Sequence, residues 1–185
     1  MQHAGLPLRG GTGLYGLDPP GRPAPPWQTR EWFNTSQALS LDGLRGSVVL
    51  LHAFQMLCPA CVQHGLPQAQ RVHAAFAASG VVVVGLHTVF EHHAAMTPVS
   101  LQAFLHEYRI GFAVGVDAPS GDARQPIPAT MQACGMQGTP SLLLIDRRGH
   151  LRLHVFGAID DLTLGAAIAT LVAESGWRRH PAAPA

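Results

Sequence analysis

Two cysteines separated by two residues, Cys58-Pro59-Ala60-Cys61, are the side chains in this sequence best suited to chemistry. A Cys-x-x-Cys pair at a strand-to-helix junction can cycle between dithiol and disulfide. The run before it, Ser47 to Phe54, is almost continuously apolar, as expected of a strand buried on both faces. After it, Val62, Leu66, Ala69, Val72 and Phe76 recur at steps of three and four, which is helical spacing. Pro59 fits the first turn of that helix, where a missing N–H costs nothing. Cys58 then lies at the positive end of the helix, which favours the thiolate, the form that attacks disulfide sulfur. Cys61, one turn further on, is placed to close a ring with it.

The remaining candidates carry weaker chemistry. Cys134, on a short predicted helix, reads first as a small buried apolar side chain and second as an extra redox thiol. His87, His92 and His93 follow one strand, and with two cysteines they would make a Cys2His metal set. His92 and His93 are adjacent, however, and adjacent side chains point apart on a regular element, so no metal ligand is assigned. Glu91 and Arg109 are candidates for the edge of a groove, with a solvated surface role as the plainer reading. Trp27 and Trp32 flank the first predicted strand and are expected to cover a sheet edge.

The elements that must position the pair follow from pattern. Glu31 to Thr35 reads as an edge strand and Leu41 to Gly46 as a turn or short helix. The helix from Pro59 to about Ser79 is expected to bend near Pro67. Val81 to Leu86 is a second buried strand, a helix begins near Pro98, and Ala113 to Val116 is a short strand ending in Asp117. Ala129 to Gly135 is a brief helix. Ser141 to Ile145 and Leu151 to Phe156 form a hairpin, and Asp161 to Glu174 is a closing helix. This order predicts a mixed sheet with helices on both faces.

With 47% hydrophobic and 12% charged residues, the chain favours a compact buried fold. A net charge of +1 gives no electrostatic case for nucleic acid or a membrane surface as partner. No apolar run approaches the ~20 residues of a membrane span. Three cysteines do not make a disulfide scaffold in a chain of this length and fit a reducing compartment. Residues 1–26, rich in Gly and Pro, read as a flexible extension without the pattern of a secretory signal, so a cytoplasmic location is expected. Residues 27–176 read as one domain and 177–185 as a loose tail.

At this point the residues match a family. The chain resembles the thioredoxin superfamily, and more narrowly its TlpA-like, redoxin and AhpC/TSA-type branch. Four segments carry the resemblance: the strand ending in Cys58-Pro59-Ala60-Cys61, then Val84-Gly85-Leu86-His87-Thr88, then Gly138-Thr139-Pro140-Ser141, and the hairpin Leu144-Ile145-Asp146-Arg147-Arg148-Gly149. It implies a thioredoxin-like α/β fold, a central mixed β-sheet with helices on both faces. It implies thiol–disulfide oxidoreduction without a cofactor, in which Cys58 attacks and Cys61 resolves. The partners it implies are a disulfide-containing protein or small-thiol substrate and an unidentified electron donor. The resemblance further implies a cis Thr139–Pro140 bond facing the cysteines. Leu57, Pro59, Ala60, Thr139 and Pro140 would then form the substrate surface. His52, six residues before Cys58, takes a place where relatives keep a polar group under the second sulfur. It reads either as a proton shuttle for Cys61 or as a core histidine. The sequence departs from relatives in having Leu57 where many carry Trp, and His52 where an acid or Asn is common. Most TlpA-like proteins are exported, and no export signal is visible here. Phe54-Gln55-Met56-Leu57 also lacks the Pro and Thr or Ser that precede a peroxidatic cysteine. Thiol peroxidase and a metal-holding or sensing module without turnover are the competing readings.

Overall fold

The two most apolar runs of the sequence become the two central strands. The computed structural model describes residues 14–121 and 126–174. Its strands are β1 (Thr29–Phe33), β2 (Val48–Phe54), β3 (Val81–His87), β4 (Ala113–Asp117), β5 (Ser141–Ile145) and β6 (Leu151–Phe156). They form one mixed sheet in the order β1-β4-β3-β2-β5-β6. β2, β3 and β4 run parallel, while β1, β5 and β6 are each antiparallel to their neighbours. The helices are α1 (Leu66–Phe76), α2 (Pro98–Glu107), α3 (Ala129–Cys134) and α4 (Asp161–Ala173).

Strand alternation divides the core in two. Val48, Leu50 and Phe54 of β2 face a cluster shared with α1, α2 and α4. Val49, Leu51 and Ala53 face a second cluster with α3 and the turn at Leu41. Burying a large apolar side chain contributes roughly 1.5–3 kcal/mol. Leu50, Leu51 and Phe54 are all fully buried, so β2 is a stiff base for whatever stands at its end. At the outer edge, Trp27 and Trp32 lie with ring centroids 6.2 Å apart beside β1, and the Trp32 ring fills the space a side chain at Gly115 would need.

The helix after β2 is helical from Pro59, but its residues Cys61–Gly65 are wound as a π-helix in which the Leu66 N–H reaches back to the Cys61 carbonyl. The irregularity expected at Pro67 therefore lies one turn earlier. Pro67 has no N–H to offer, and its ring would crowd the carbonyl four residues back. The wider turn absorbs both problems, and such turns recur at functional sites. α2 opens with Thr97 accepting the Ser100 N–H at 3.2 Å, and α4 with Asp160 accepting the Thr163 N–H at 2.9 Å.

Part of the stretch expected to be a flexible extension is docked. Asp18 N–H donates to the Arg152 carbonyl at 2.7 Å, Leu151 N–H to Arg22 at 2.9 Å, and Ala24 N–H to Gly149 at 2.9 Å. Leu17 is buried beneath them. The physical reason is that β6 ends the sheet and leaves backbone groups free for a passing segment. Arg152 reinforces the contact: its Nε donates to the Asp18 carbonyl at 2.6 Å, and its guanidinium meets Glu174 in a bidentate pair at 2.7 Å and Asp146 at 3.4 Å. Residues 1–13 of that stretch and the tail 177–185 lie outside the described residues. Among the described residues, no helix is long and apolar enough to cross a membrane.

Candidate active site

β2 delivers the cysteines, and α1 with its π-helical entry holds them. The turn after Phe54 closes when the Cys58 N–H donates to the Gln55 carbonyl at 3.1 Å, and the Val62 N–H donates to the Cys58 carbonyl at 3.1 Å as the helix starts. Cys58 is partly exposed, whereas Cys61 is fully buried, and both are free thiols. The Cys61 N–H donates to the Cys58 sulfur at 3.3 Å. The Cys58 thiol donates to the Thr139 carbonyl at 3.6 Å. Burial pushes the Cys61 thiol up to about 12, with the hydrogen bond to Cys58 adding to it. Hydrogen bonds from the Gln55 backbone and the Thr139 side chain pull the other way. One sulfur is thus reachable and held by an N–H, and the other is hidden and protonated at neutral pH.

The Thr139–Pro140 bond is cis, as the resemblance implied. Its loop faces Cys58 across an open groove of about 380 Å³. Of the expected substrate-surface residues, Leu57, Pro59 and Thr139 line this groove beside Cys58. Ala60 is exposed but outside the lining, and Pro140 is buried behind it. Glu91, a candidate for the groove edge from sequence, does line it, and four lining residues were not singled out for it: Phe90, His92, Gly138 and Phe156. Gly138 is needed because a Cβ there would sit 2.8 Å from the Phe156 ring. Gln55, also missed, is buried and uses its whole amide: Oε1 accepts the Phe90 N–H at 3.3 Å and Nε2 donates to Glu91 at 3.3 Å. A polar residue closing an apolar run was the available signal. Arg109 lies at the end of α2, away from the groove, where its carbonyl accepts from Gln70.

His52 points into the α1 side of the core. A Cβ on Gly65 would stand 2.7 Å from His52 Nε2 and 3.4 Å from the Pro140 Cβ, so the imidazole is pressed against the π turn at Gly65, with Pro140 close to the same glycine. Among the described residues its Nε2 finds no hydrogen-bond partner. Burial lowers its pKa to about 4, so the ring is neutral at pH 7. His87 is also buried, 5.4 Å from the Phe54 ring, and burial followed by the Arg30 charge lowers it to about 4. His92 and His93 are exposed. Among the described residues no group of three His, Cys, Asp or Glu side chains is arranged to hold a metal. Cys134 is buried in the core on the α3 side, and burial, with the Asp117 charge, pushes its thiol up to about 11.

The comparisons with known proteins bear on the same residues. The AhpC/TSA family matches residues 20–154. The chain is 58% identical to a thioredoxin-like superfamily protein of known crystal structure, with a TM-score of 0.80, covering 84% of this chain and 99% of that one. It is 47% identical to a thiol-disulfide isomerase from Corynebacterium glutamicum, with a TM-score of 0.77, covering 82% and 98%. The thioredoxin domain of a thiol-disulfide oxidoreductase from Bacteroides vulgatus shares the fold at 17% identity and a TM-score of 0.64, covering 83% and 98%. No curated protein matches the sequence. A family match spanning most of the domain and high identity to a thioredoxin-like structure lead to one conclusion: the chain belongs to the AhpC/TSA family, among the thioredoxin-like redoxin proteins.

Proposed function

We propose that this protein is a thiol–disulfide oxidoreductase in which Cys58 attacks and Cys61 resolves. The observation that carries the reading is the pairing of one groove-facing sulfur with a second sulfur buried one turn behind it. The Cys58 thiolate attacks one sulfur of a substrate disulfide, the S–S bond breaks, and the other substrate sulfur leaves as a thiolate. Cys61 then loses its proton and attacks Cys58. The second substrate thiolate leaves, and a Cys58–Cys61 disulfide remains. Two electrons and two protons pass to the substrate, and an external thiol or dithiol donor resets the pair. Leu57, Pro59, Thr139 and the backbone in front of Pro140 form the docking surface.

The timing of resolution follows from what raises Cys61. Two of the influences holding its proton, the hydrogen bond to Cys58 and the Cys58 charge, disappear when Cys58 enters a mixed disulfide. The Gln55 backbone and Thr139 side chain, which favour the thiolate, remain. Burial, the largest influence raising the Cys61 thiol, stays, so the resolving step is relieved only of what Cys58 contributed. His52 serves this cycle as a positioning residue against the π turn at Gly65. Burial makes the imidazole a weaker base and the Cys61 thiol a weaker acid, and both work against proton transfer between them in the resting dithiol.

The test uses pre-reduced protein and a disulfide-linked peptide. Cys61→Ser should accumulate a mixed disulfide on Cys58, wild type should release two peptide thiols, and Cys58→Ser should do neither. A Cys61→Ser protein that forms no adduct refutes the assignment. Rapid peroxide consumption with no disulfide present would point to a thiol peroxidase instead.

A further inference from the structure

The groove beside Cys58 has a chemical character of its own. Leu57 is 55% exposed and Phe156 45% exposed, which is high for large apolar side chains, and both border the same groove with Phe90. Among the described residues lining it, Glu91 is the one carboxylate, and no arginine faces it. Glu91 is exposed but tethered, because the buried Gln55 donates to its Oε1 at 3.3 Å. The same amide accepts the Phe90 N–H. The carbonyl of Gln55 holds the Cys58 N–H. One residue thereby fixes the attacking cysteine, an apolar wall and a carboxylate relative to each other. An amide does this without neutralising the carboxylate.

We propose that Glu91, positioned by Gln55, selects polypeptide disulfides whose cysteine is flanked by an apolar and a cationic side chain. The inference rests on the reading of Cys58 and Cys61 as the redox pair. Charge complementarity and the extended apolar border argue for this occupant. A disulfide such as oxidised glutathione, which carries carboxylates and little apolar surface, would leave Leu57 and Phe156 uncovered and bring negative charge toward Glu91. Charges at the rim of a docking surface act mainly on encounter, and salt weakens them.

The experiment measures single-turnover rate constants of pre-reduced protein, so no electron donor is needed. The probes are homodimeric disulfides of Ala-Leu-Cys-Lys and Ala-Leu-Cys-Glu, with oxidised glutathione as a third. At low ionic strength the Lys peptide should react about threefold to tenfold faster than the Glu peptide, the range for solvent-exposed charge pairs when one probe attracts and the other repels. High salt should shrink the ratio. Glu91→Gln should bring it close to one, and Glu91→Lys should invert it. A Lys-to-Glu ratio left unchanged by Glu91→Gln overturns the assignment of Glu91. Glutathione disulfide outpacing the Lys peptide overturns the polypeptide occupant. If wild type reacts with none of the three probes while remaining folded, the redox reading itself fails and this one with it.

Discussion

Replacing Gly65 by Ala sets two well-defined effects against each other. In a helix interior Ala is favoured over Gly by about 1 kcal/mol. Here the added methyl would stand 2.7 Å from His52 Nε2, in a site where His52 and Leu66 are both buried. Overpacking a close-packed site costs about 1–3 kcal/mol. The clash should win, leaving Gly65→Ala destabilised by about 1 kcal/mol, with Tm lower by about 2–4 °C. In a His52→Ala background the imidazole is gone, and the same Gly65→Ala change should stabilise by up to about 1 kcal/mol. The coupling between the two positions is then about 2 kcal/mol, within the range for residues in contact. Urea denaturation of the wild type, both single variants and the double variant measures it directly. The decisive readout is the change of sign. A Gly65→Ala protein that is more stable than wild type with His52 present would refute the close contact, and with it the positioning role given to His52.

Two further predictions concern stability. Burial of His52, and burial with the Arg30 charge at His87, lower both pKa values from 6.5 to about 4, so between those limits the unfolded state binds more protons than the native one. Their neutral burial is compatible with full stability above about pH 6.5. The contribution of these two histidines should fall as pH drops from about 6.5 toward 4, and it levels off below, where both rings are protonated in both states. Urea midpoints across that range check it, and a slope unchanged in a folded His52→Ala variant would contradict it. Arg152→Met should remove about 2 kcal/mol. It takes the cation from the buried Asp146, a loss that is large for a wholly buried pair but softened by the N–H donors of Arg148 and His150, which remain. Because Arg152 also holds the Asp18 carbonyl, limited proteolysis should cut near residues 18–24 earlier than in wild type, and equal cleavage would argue against that tether.

The parts of the fold that rest on local pattern were legible in the sequence. The apolar runs of β2 and β3 and the helical spacing after Cys61 needed no partner to be recognised, and the predicted elements lie within a few residues of the observed ones. The candidate site was legible in its placement where one short segment carried it, in Cys58 and Cys61, and where the resemblance added the cis Thr139–Pro140 loop. What was not legible depends on contacts between distant segments. The docking of residues 17–24 depends on β6, over a hundred residues later. Nothing in a Gly/Pro-rich composition reports that an edge strand will receive it. Gln55 stood out as a polar residue after a strand, but its function needs Phe90 and Glu91, about 35 residues on. The π turn was invisible as well, because Pro67 signals a disturbance without saying on which side the helix will absorb it.

On the proposed reading, the choice of resolving thiol follows from the same alternation that builds the sheet. Successive residues of a strand face opposite sides, so the α1 core and the α3 core are separated by β2 and its neighbours. Cys61 belongs to the first and Cys134 to the second. A mixed disulfide formed at Cys58, whose side chain packs against the α1-side cluster, would have Cys61 as its adjacent buried thiol. Cys134 would have to cross the central strands to reach it. Burial and the Asp117 charge raise the Cys134 thiol to about 11, as burial raises Cys61 to about 12, so position rather than acidity separates the two. On the proposed reading the three cysteines are kept apart by place: one lines the groove, one is buried a turn behind it, and one lies on the far side of the sheet.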